Sequence, residues 1–390
     1  MINKELKYYN FIKGIRMGNS TNSPEKIYIP STDIYAMNNY KDHTKTKHKV
    51  LRRYLEKWFT ILSKYHNVNY IDGFSGCGVY TDNGSNFYPG SPIIAAQAWN
   101  KTGNKNNKLA IMCIEKEEDI LENLKKAYSY YCKKLEYKVK PIFINGDFDN
   151  EINKILDCFD KRNKKLEPSF FFIDPYGFKI KYDIIKRISS MPKTEILLTF
   201  MYDPINRFFN NPDLEKTYND LFGSTNWKEI MDCSDNGKES KLIDLYTDNL
   251  KNIYNYVLPY RFLYPDKDRT IYYLIHMTNH RLGISIMKSC FAEINEGEVI
   301  YLGKSKDQLS IMNINKVKIE EIKKYLLDNY NNQKINYNKI IDENIESTLY
   351  LEKDFRKALN ELRDEGKVKV EHNSSKRSNA IMDDDEIIFN

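Results

Sequence analysis

Two short stretches of this chain put chemistry-bearing residues where an apolar run stops. Tyr70-Ile71-Asp72-Gly73-Phe74-Ser75-Gly76-Cys77-Gly78 runs apolar, turns acidic and then breaks into three glycines. Glycine lets a backbone turn sharply and approach a ligand closely, as the loop after the first strand of a doubly wound sheet must do. Phe170-Phe171-Phe172-Ile173-Asp174-Pro175-Tyr176-Gly177-Phe178 has the same form, with an acid, a proline and an aromatic directly after the apolar run. A third acid, Glu115, ends Ile111-Met112-Cys113-Ile114-Glu115, and a fourth, Asp147, follows Asn145-Gly146 and precedes Phe148.

The spacing of these acids selects among ligands. A dinucleotide fingerprint wants a small residue where Thr81 stands and a ribose-binding acid about 20 residues further on, and neither is present. Glu115, at the end of the second strand, is instead placed to accept ribose hydroxyls, and Asp147 an adenine amino group with Phe148 packing on the ring. The expected cofactor is S-adenosyl-L-methionine, bound by Asp72, Gly73, Phe74, Ser75, Gly76, Gly78, Glu115, Asp147 and Phe148. At the fourth strand end, Asp174, Pro175 and Tyr176 are the expected catalytic set. A carboxylate and a backbone carbonyl can accept hydrogen bonds from a target amine while the aromatic stacks on an extruded base. The second proline usual in amino-group methyltransferases of nucleic acids is missing, and the aromatic moves up by one. Pro89-Gly90-Ser91-Pro92 reads as a helix start with Ser91 as N-cap, its free amides available to a carboxylate.

Positioning these residues requires strands alternating with helices. From Thr44 onward, Lys47, Val50, Leu51, Tyr54, Leu55, Trp58, Phe59 and Leu62 recur at spacings of three and four, which predicts an amphipathic helix bearing Lys45, Lys49, Arg52, Arg53 and Lys57 on its other faces. Strands are expected at Leu109 to Ile114, Lys140 to Ile144, Phe170 to Ile173 and Glu195 to Phe200. A hairpin of Tyr260 to Tyr264 and Thr270 to Thr278, turned by Pro265-Asp266-Lys267-Asp268, would add an antiparallel end. The fold class is therefore α/β, a doubly wound Rossmann-like methyltransferase sheet, mostly parallel with an antiparallel last strand. Residues 1–40 read as irregular and 41–310 as the methyltransferase-like domain, with a helical insertion at about 205–257 that caps the cofactor face. Residues 311–390 read as a winged-helix-like domain. Its helices are expected at Val317 to Asn329, Tyr337 to Asn344 and Tyr350 to Asp364, followed by a strand at Lys367 to Glu371. Lys353, Arg356, Lys357 and Arg363 would reach phosphates.

Composition narrows the compartment and the partners. The 60 basic and 54 acidic residues leave a net charge of +6, and residues 1–60 hold 12 Lys/Arg against 5 acids. That local excess is either a solvated face or one that meets phosphates. Residues 313–379 carry 14 bases and 12 acids, which suits protein contact as well as DNA contact. Cys77, Cys113, Cys132, Cys158, Cys233 and Cys290 are scattered, with no C-x-x-C pair. No zinc ribbon or cysteine-ligated cluster is expected, and reduced thiols suit a cytoplasmic location. His276 and His280, spaced by four on a strand and its exit, are not a metal pair, and no metal site is expected. No apolar run reaches membrane-spanning length and no signal-peptide pattern opens the chain. H-E-x-x-H, G-x-x-x-x-G-K-[ST] and G-x-S-x-G are absent.

Thr44-x-x-Lys47, Tyr70 to Gly78, Gly90-Ser91-Pro92-Ile93-Ile94-Ala95, Ile114-Glu115, Gly146-Asp147 and Ile173 to Gly177 together resemble the three-Cys-motif partner protein family, TcmP. Thr278-Asn279-His280, Gly283 and Ile286-Met287-Lys288 extend the resemblance, which covers roughly residues 41–370. It departs from the family's D-L-F-A-G-P-G loop, since Gly73, Ser75 and Cys77 replace Leu, Ala and Pro. The resemblance implies a methyltransferase-like domain paired with a separate protein bearing a three-cysteine, radical-SAM-like motif. Lys47 and Ser91 are expected to bind substrate. The leading expectation is a methyltransferase acting on nucleic acid or a nucleotide, with the basic N-terminal helix and winged domain holding the polymer. The alternative is a non-catalytic nucleic-acid-binding or adaptor protein that keeps the fold.

Overall fold

The apolar runs become buried strands. The computed structural model describes residues 26–38, 40–82, 84–177, 180–231, 235–264, 267–294, 299–301, 319–348, 350–373 and 380–390. The chain divides into two units, Met1–Asn279 and His280–Asn390. In chain order the first contains β1 (Lys26–Tyr28), β2 (Tyr35–Asn38), α1 (Asp42–Leu62), β3 (Val68–Asp72), β4 (Val79–Thr81), β5 (Phe87–Pro89) and α2 (Ser91–Thr102). Next come β6 (Leu109–Glu115), α3 (Glu118–Cys132), β7 (Ile142–Asn145), α4 (Phe148–Lys161), β8 (Ser169–Ile173), α5 (Tyr182–Ser189) and β9 (Thr194–Phe200). It closes with α6 (Tyr202–Phe208), α7 (Glu215–Phe222), α8 (Asp235–Lys251), β10 (Tyr256–Tyr264) and β11 (Lys267–Thr278).

Seven strands of this unit follow the order β10-β11-β9-β8-β3-β6-β7. Strands β3, β6, β7, β8 and β9 pair in parallel, and β11 runs antiparallel to both β9 and β10. This is the expected mostly parallel doubly wound sheet with an antiparallel final strand. Every residue of β8 and β9 is buried, which is why they read as unbroken apolar runs: helices cover both faces. Register aligns Asp72 with Cys113 on one side and with Phe172 on the other. The ends of β3, β6 and β8 therefore bring Asp72, Glu115 and Asp174 to one edge of the sheet, outside the carboxyl ends of the strands.

Residues 26–38 differ from the expectation of an irregular segment. β1 and β2 form an antiparallel pair, β2 joins β4 in parallel, and β4 pairs with β5 to complete a four-stranded second sheet. Their lack of periodicity hid them, because strands of three or four residues are too short to show alternation. The side chain of Asn123 on α3, nearly fully buried, holds this sheet in place. It accepts from the Tyr35 amide (2.9 Å) and donates to the carbonyls of Tyr35 (2.8 Å) and Cys77 (2.9 Å). Residues 1–25 lie outside the described part of the chain, as do Pro265 and Asp266 of the expected turn.

Helix α1 lies against the sheet through a buried polar knot. Glu195 on β9 accepts hydrogen bonds from the Tyr54 hydroxyl and from Trp58 Nε1 (3.1 Å), and His276 Nε2 on β11 stands 3.3 Å away. His276 is thus a core residue whose Nε2 faces a carboxylate while its buried Nδ1 has no hydrogen-bond partner.

The second unit contains α9 (Arg281–Ile294), β12 (Val299–Tyr301), α10 (Ile319–Tyr330), β13 (Lys334–Asn336), α11 (Tyr337–Asn344), α12 (Glu352–Asp364), β14 (Val368–Glu371) and β15 (Glu386–Phe389). The three expected helices and the strand at β14 are present, with β13 and β15 added to form a sheet of order β13-β15-β14. Phe355, Leu359 and Leu362 bury one face of α12, and Gly366 at φ +73° follows its end. The unit begins about thirty residues before the expected boundary, because α9 belongs to it. Lys288 on α9 is buried and donates to the carbonyls of Ile345 (2.8 Å), Thr348 (2.9 Å) and Tyr350 (2.8 Å). Arg356 of α12 turns onto its own unit, with Asp383 at 2.9 Å and the Tyr337 ring 4.4 Å away, and Arg363 lies beside Asp364. Lys353 and Lys357 are exposed.

Candidate cofactor and acceptor site

The glycine loop after β3 is shaped first by its own chain. Gly78 has φ +81°, and a Cβ there would stand 2.6 Å from Leu124 Cδ1, so α3 packs where a side chain would be. Phe148 lies over Gly73: a Cβ on that glycine would meet its ring at 2.7 Å. The Phe74 ring also packs on Phe148, tilted against it with centroids 5.4 Å apart. Gly76, at φ +60°, faces more open ground, with only the Tyr80 hydroxyl within 4 Å of its added Cβ. The Ser75 hydroxyl donates back to the Asp72 carbonyl at 3.1 Å and closes the turn.

Asp72 is fully buried. Its Oδ2 accepts from the Tyr70 hydroxyl at 2.9 Å, while Oδ1 has no hydrogen-bond partner. Burial pushes this carboxyl up to about 7, although the Ser91 and Tyr70 hydroxyls pull the other way. Ser91 is the first residue of α2 rather than its cap. Gly90 holds the cap position, and the Ser91 hydroxyl is drawn toward Asp72.

Glu115 spans from β6 to the glycine loop. Its Oε2 accepts from the Gly76 amide (3.0 Å) and Oε1 from the Glu117 amide (3.1 Å). Burial raises its pKa, opposed by those amides. Asp147 occupies the cap position of α4 with its side chain exposed and not bonded to the helix amides.

Asp174 faces α1 across the sheet edge. Lys47 Nζ, almost fully buried, lies 2.5 Å from Asp174 Oδ2, and 5.4 Å from the centre of the Tyr272 ring. Burial works to raise the Asp174 pKa, but Lys47 more than offsets it and holds the carboxyl below its ordinary value. The two neighbouring histidines are kept neutral by burial and by Lys47: His43 falls to about 4 and His48 to about 3. Tyr176 is 55% exposed beside this pair. Pro175 and Gly177 line a small crevice with Thr199, whose buried hydroxyl has no hydrogen-bond partner, and with Leu221 and Tyr246 from the helical insertion.

The structure thus brings Asp72, the glycine loop, Glu115 and Phe148 into one group, and Lys47, Asp174, Pro175 and Tyr176 into a second group on the adjoining strand. Sequence reading missed Tyr40, Tyr80 and Tyr88. These tyrosines form a ring cluster with His48, Tyr40 stacking on Tyr88 at 4.4 Å and lying 5.6 Å from Tyr80. The dense run of tyrosines around the glycine motif was the available signal. Among the described residues no group of His, Cys, Asp and Glu could hold a metal ion, and no helix is long and apolar enough to cross a membrane.

A family model described as the GMT-like wHTH domain matches residues 303–375. No curated protein matches the chain. Among solved structures, the protein LPL1258 from Legionella pneumophila is similar at 13% identity, over 65% of this chain and 95% of that one, with a TM-score of 0.38. Trm1 from Pyrococcus horikoshii, solved as a complex with S-adenosyl-L-methionine, is similar at 9% identity over 66% of this chain and 60% of its own, with a TM-score of 0.35. The chain joins a mostly parallel α/β sheet of methyltransferase type, resting on strand order and register, to a C-terminal winged helix.

Proposed function

We propose that the unit Met1–Asn279 binds S-adenosyl-L-methionine and methylates a nucleic-acid base or a nucleotide. The observation that carries this reading is the orphaned Oδ1 of Asp72. A buried carboxylate oxygen without a partner is costly, and a ligand ammonium at the strand end would satisfy it. The donor set fits such a cofactor: Asp72 for the ammonium, the loop Gly73 to Gly78 beneath its amino-acid portion, Glu115 for ribose hydroxyls, and Asp147 with Phe148 for the adenine. When bound, the cofactor supplies an electrophilic methyl group on a sulfonium.

The remaining work belongs to this chain's residues. Asp174, ionised beside Lys47, accepts a hydrogen bond from the acceptor amine, and Pro175 fixes the turn that follows. Tyr176, exposed at the lip, offers its face to an extruded base. Catalysis then rests mainly on holding the acceptor in line. Lys47 acts from the side of the substrate beside Asp174, Ser91 stands at Asp72 on the side of the cofactor rather than of the substrate as expected, and the winged-helix unit holds a polymer or a protein. The resemblance to TcmP adds a partner to this proposal, a separate protein with a three-cysteine motif, and the scattered cysteines support a cytoplasmic setting.

Calorimetry with S-adenosyl-L-methionine and S-adenosylhomocysteine tests the reading. Binding is expected, weakened at least tenfold by Asp72→Ala or Glu115→Ala; no binding of either compound by the wild type would sink it. Mass spectrometry of nucleic acid incubated with methyl-labelled cofactor then separates an enzyme from an adaptor. Asp174→Ala should bind the cofactor and transfer nothing.

A further inference from the structure

The two basic surfaces expected to meet a polymer are largely spent on the chain itself. On α1, Lys45 lies 3.4 Å from Asp42 and 3.6 Å from Asp82, Lys47 pairs with Asp174, and Arg52 donates to Gln97 at 2.7 Å. Lys49, Arg53 and Lys57 also have partners. On α12, Arg356 and Arg363 are engaged within their own unit, which leaves Lys353 and Lys357 exposed.

Unneutralised charge collects elsewhere. Residues 125–140 hold six lysines against one glutamate, interleaved with four tyrosines. Lys125 and Lys126 pair with Glu122 and Asp33. Lys133, Lys134, Lys138 and Lys140 are all exposed and pair with no acid among the described residues.

The tract is built rather than loose. The Tyr137 amide donates to Asn100 Oδ1 (3.0 Å) and the Tyr128 hydroxyl to the Val139 carbonyl (3.0 Å), which pins the connection between α3 and β7 at two points. Tyr130 and Tyr137 remain 40% and 37% exposed, with Lys133 Nζ 5.2 Å from the Tyr130 ring centre and Lys105 Nζ 4.1 Å from that of Tyr137. An ordered surface of unpaired lysines between exposed tyrosine rings has the chemistry that single-stranded nucleic acid requires, cations along the phosphates and aromatic faces for the bases. A purely solvated face would need the lysines but gains nothing from exposed rings beside them.

We infer that the α3–β7 connection, Lys133 to Lys140 with Tyr130 and Tyr137, is a docking surface for single-stranded RNA or DNA. It precedes β7, at the sheet edge opposite Asp174, so it anchors a strand away from the acceptor loop. The inference rests on the reading above only for the class of polymer.

Fluorescence anisotropy of the full chain with labelled 20-nucleotide single-stranded RNA, single-stranded DNA and duplex DNA tests it, with cofactor calorimetry on the same samples as the control for folding. Single strands should bind more tightly than duplex, with an affinity that falls steeply as salt rises. Charge reversal of Lys133, Lys134, Lys138 and Lys140 to Glu should cost at least tenfold. Tyr130→Ala with Tyr137→Ala should cost single-strand affinity severalfold and leave duplex affinity alone, and cofactor binding should be unchanged in every variant. Wild-type affinity in the charge-reversed variant would overturn the surface. Loss with lysine reversal but none with tyrosine removal would overturn the single-strand assignment. If the wild type binds single strands but not the cofactor, the docking surface stands and the methyltransferase reading falls.

Discussion

Asp72 and Asp174 end neighbouring strands and are driven in opposite directions. Burial lifts Asp72 to about 7, whereas Lys47 holds Asp174 ionised well into acid. Pairs of carboxyls separated in this way take different roles at one site. For Asp72 the sign is simple: it is mostly protonated at pH 6 and mostly charged at pH 8, and only the charged form attracts an ammonium. Cofactor affinity measured by calorimetry should therefore rise about tenfold from pH 6 to pH 8, and Asp72→Asn should flatten that dependence. For Asp174, Lys47→Met removes the group that offsets burial, so its pKa should rise. Methyl transfer should then fall more at pH 6 than at pH 8. Urea denaturation should show a stability loss of about 1–3 kcal/mol, since a poorly solvated carboxylate loses its partner.

Elements as much as residues decide whether the site exists. The glycine loop is held from outside by Asn123, three of whose hydrogen bonds reach β2 and Cys77. Asn123→Ala should cost about 2–3 kcal/mol in denaturation and speed hydrogen exchange at Tyr35 to Asn38 before the main sheet responds. In the second unit, Lys288 takes up three carbonyls around the end of α11. Lys288→Met keeps the bulk but orphans those carbonyls, and should destabilise the unit by about 2–4 kcal/mol in the same measurement. Both residues sit on helices whose periodicity marks them as buried, Asn123 beside Leu124 and Lys288 beside Met287. What periodicity does not tell is which carbonyl or amide waits opposite a buried polar side chain.

At the scale of the whole molecule, each unit has a core of its own. Residues 280–390 bury Phe355, Leu359, Leu362, Ile322 and Leu326, which predicts that this unit expressed alone unfolds cooperatively in urea. A gradual, non-cooperative loss of helix signal would show that it depends on the rest of the chain. Net charge also acts at this scale, where the value of +6 understates its distribution. Pairing removes the excess from α1 and leaves it at Lys133 to Lys140.

The sequence by itself determined the alternation of strands and helices, the acids and glycines at the strand ends, and the three helices with their following strand near the C-terminus. These patterns are local: an apolar run, a period of 3.6 or a glycine stop is readable within a dozen residues. Only the tertiary structure decided that Lys47 meets Asp174 across 127 positions, that residues 26–38 join β4 and β5 in a second sheet, and that Phe148 and Leu124 occupy the space beside Gly73 and Gly78. Such pairings depend on strand order and on which groups lose water when the sheet closes. No local window contains either quantity, and both set the charge of Asp72 and Asp174.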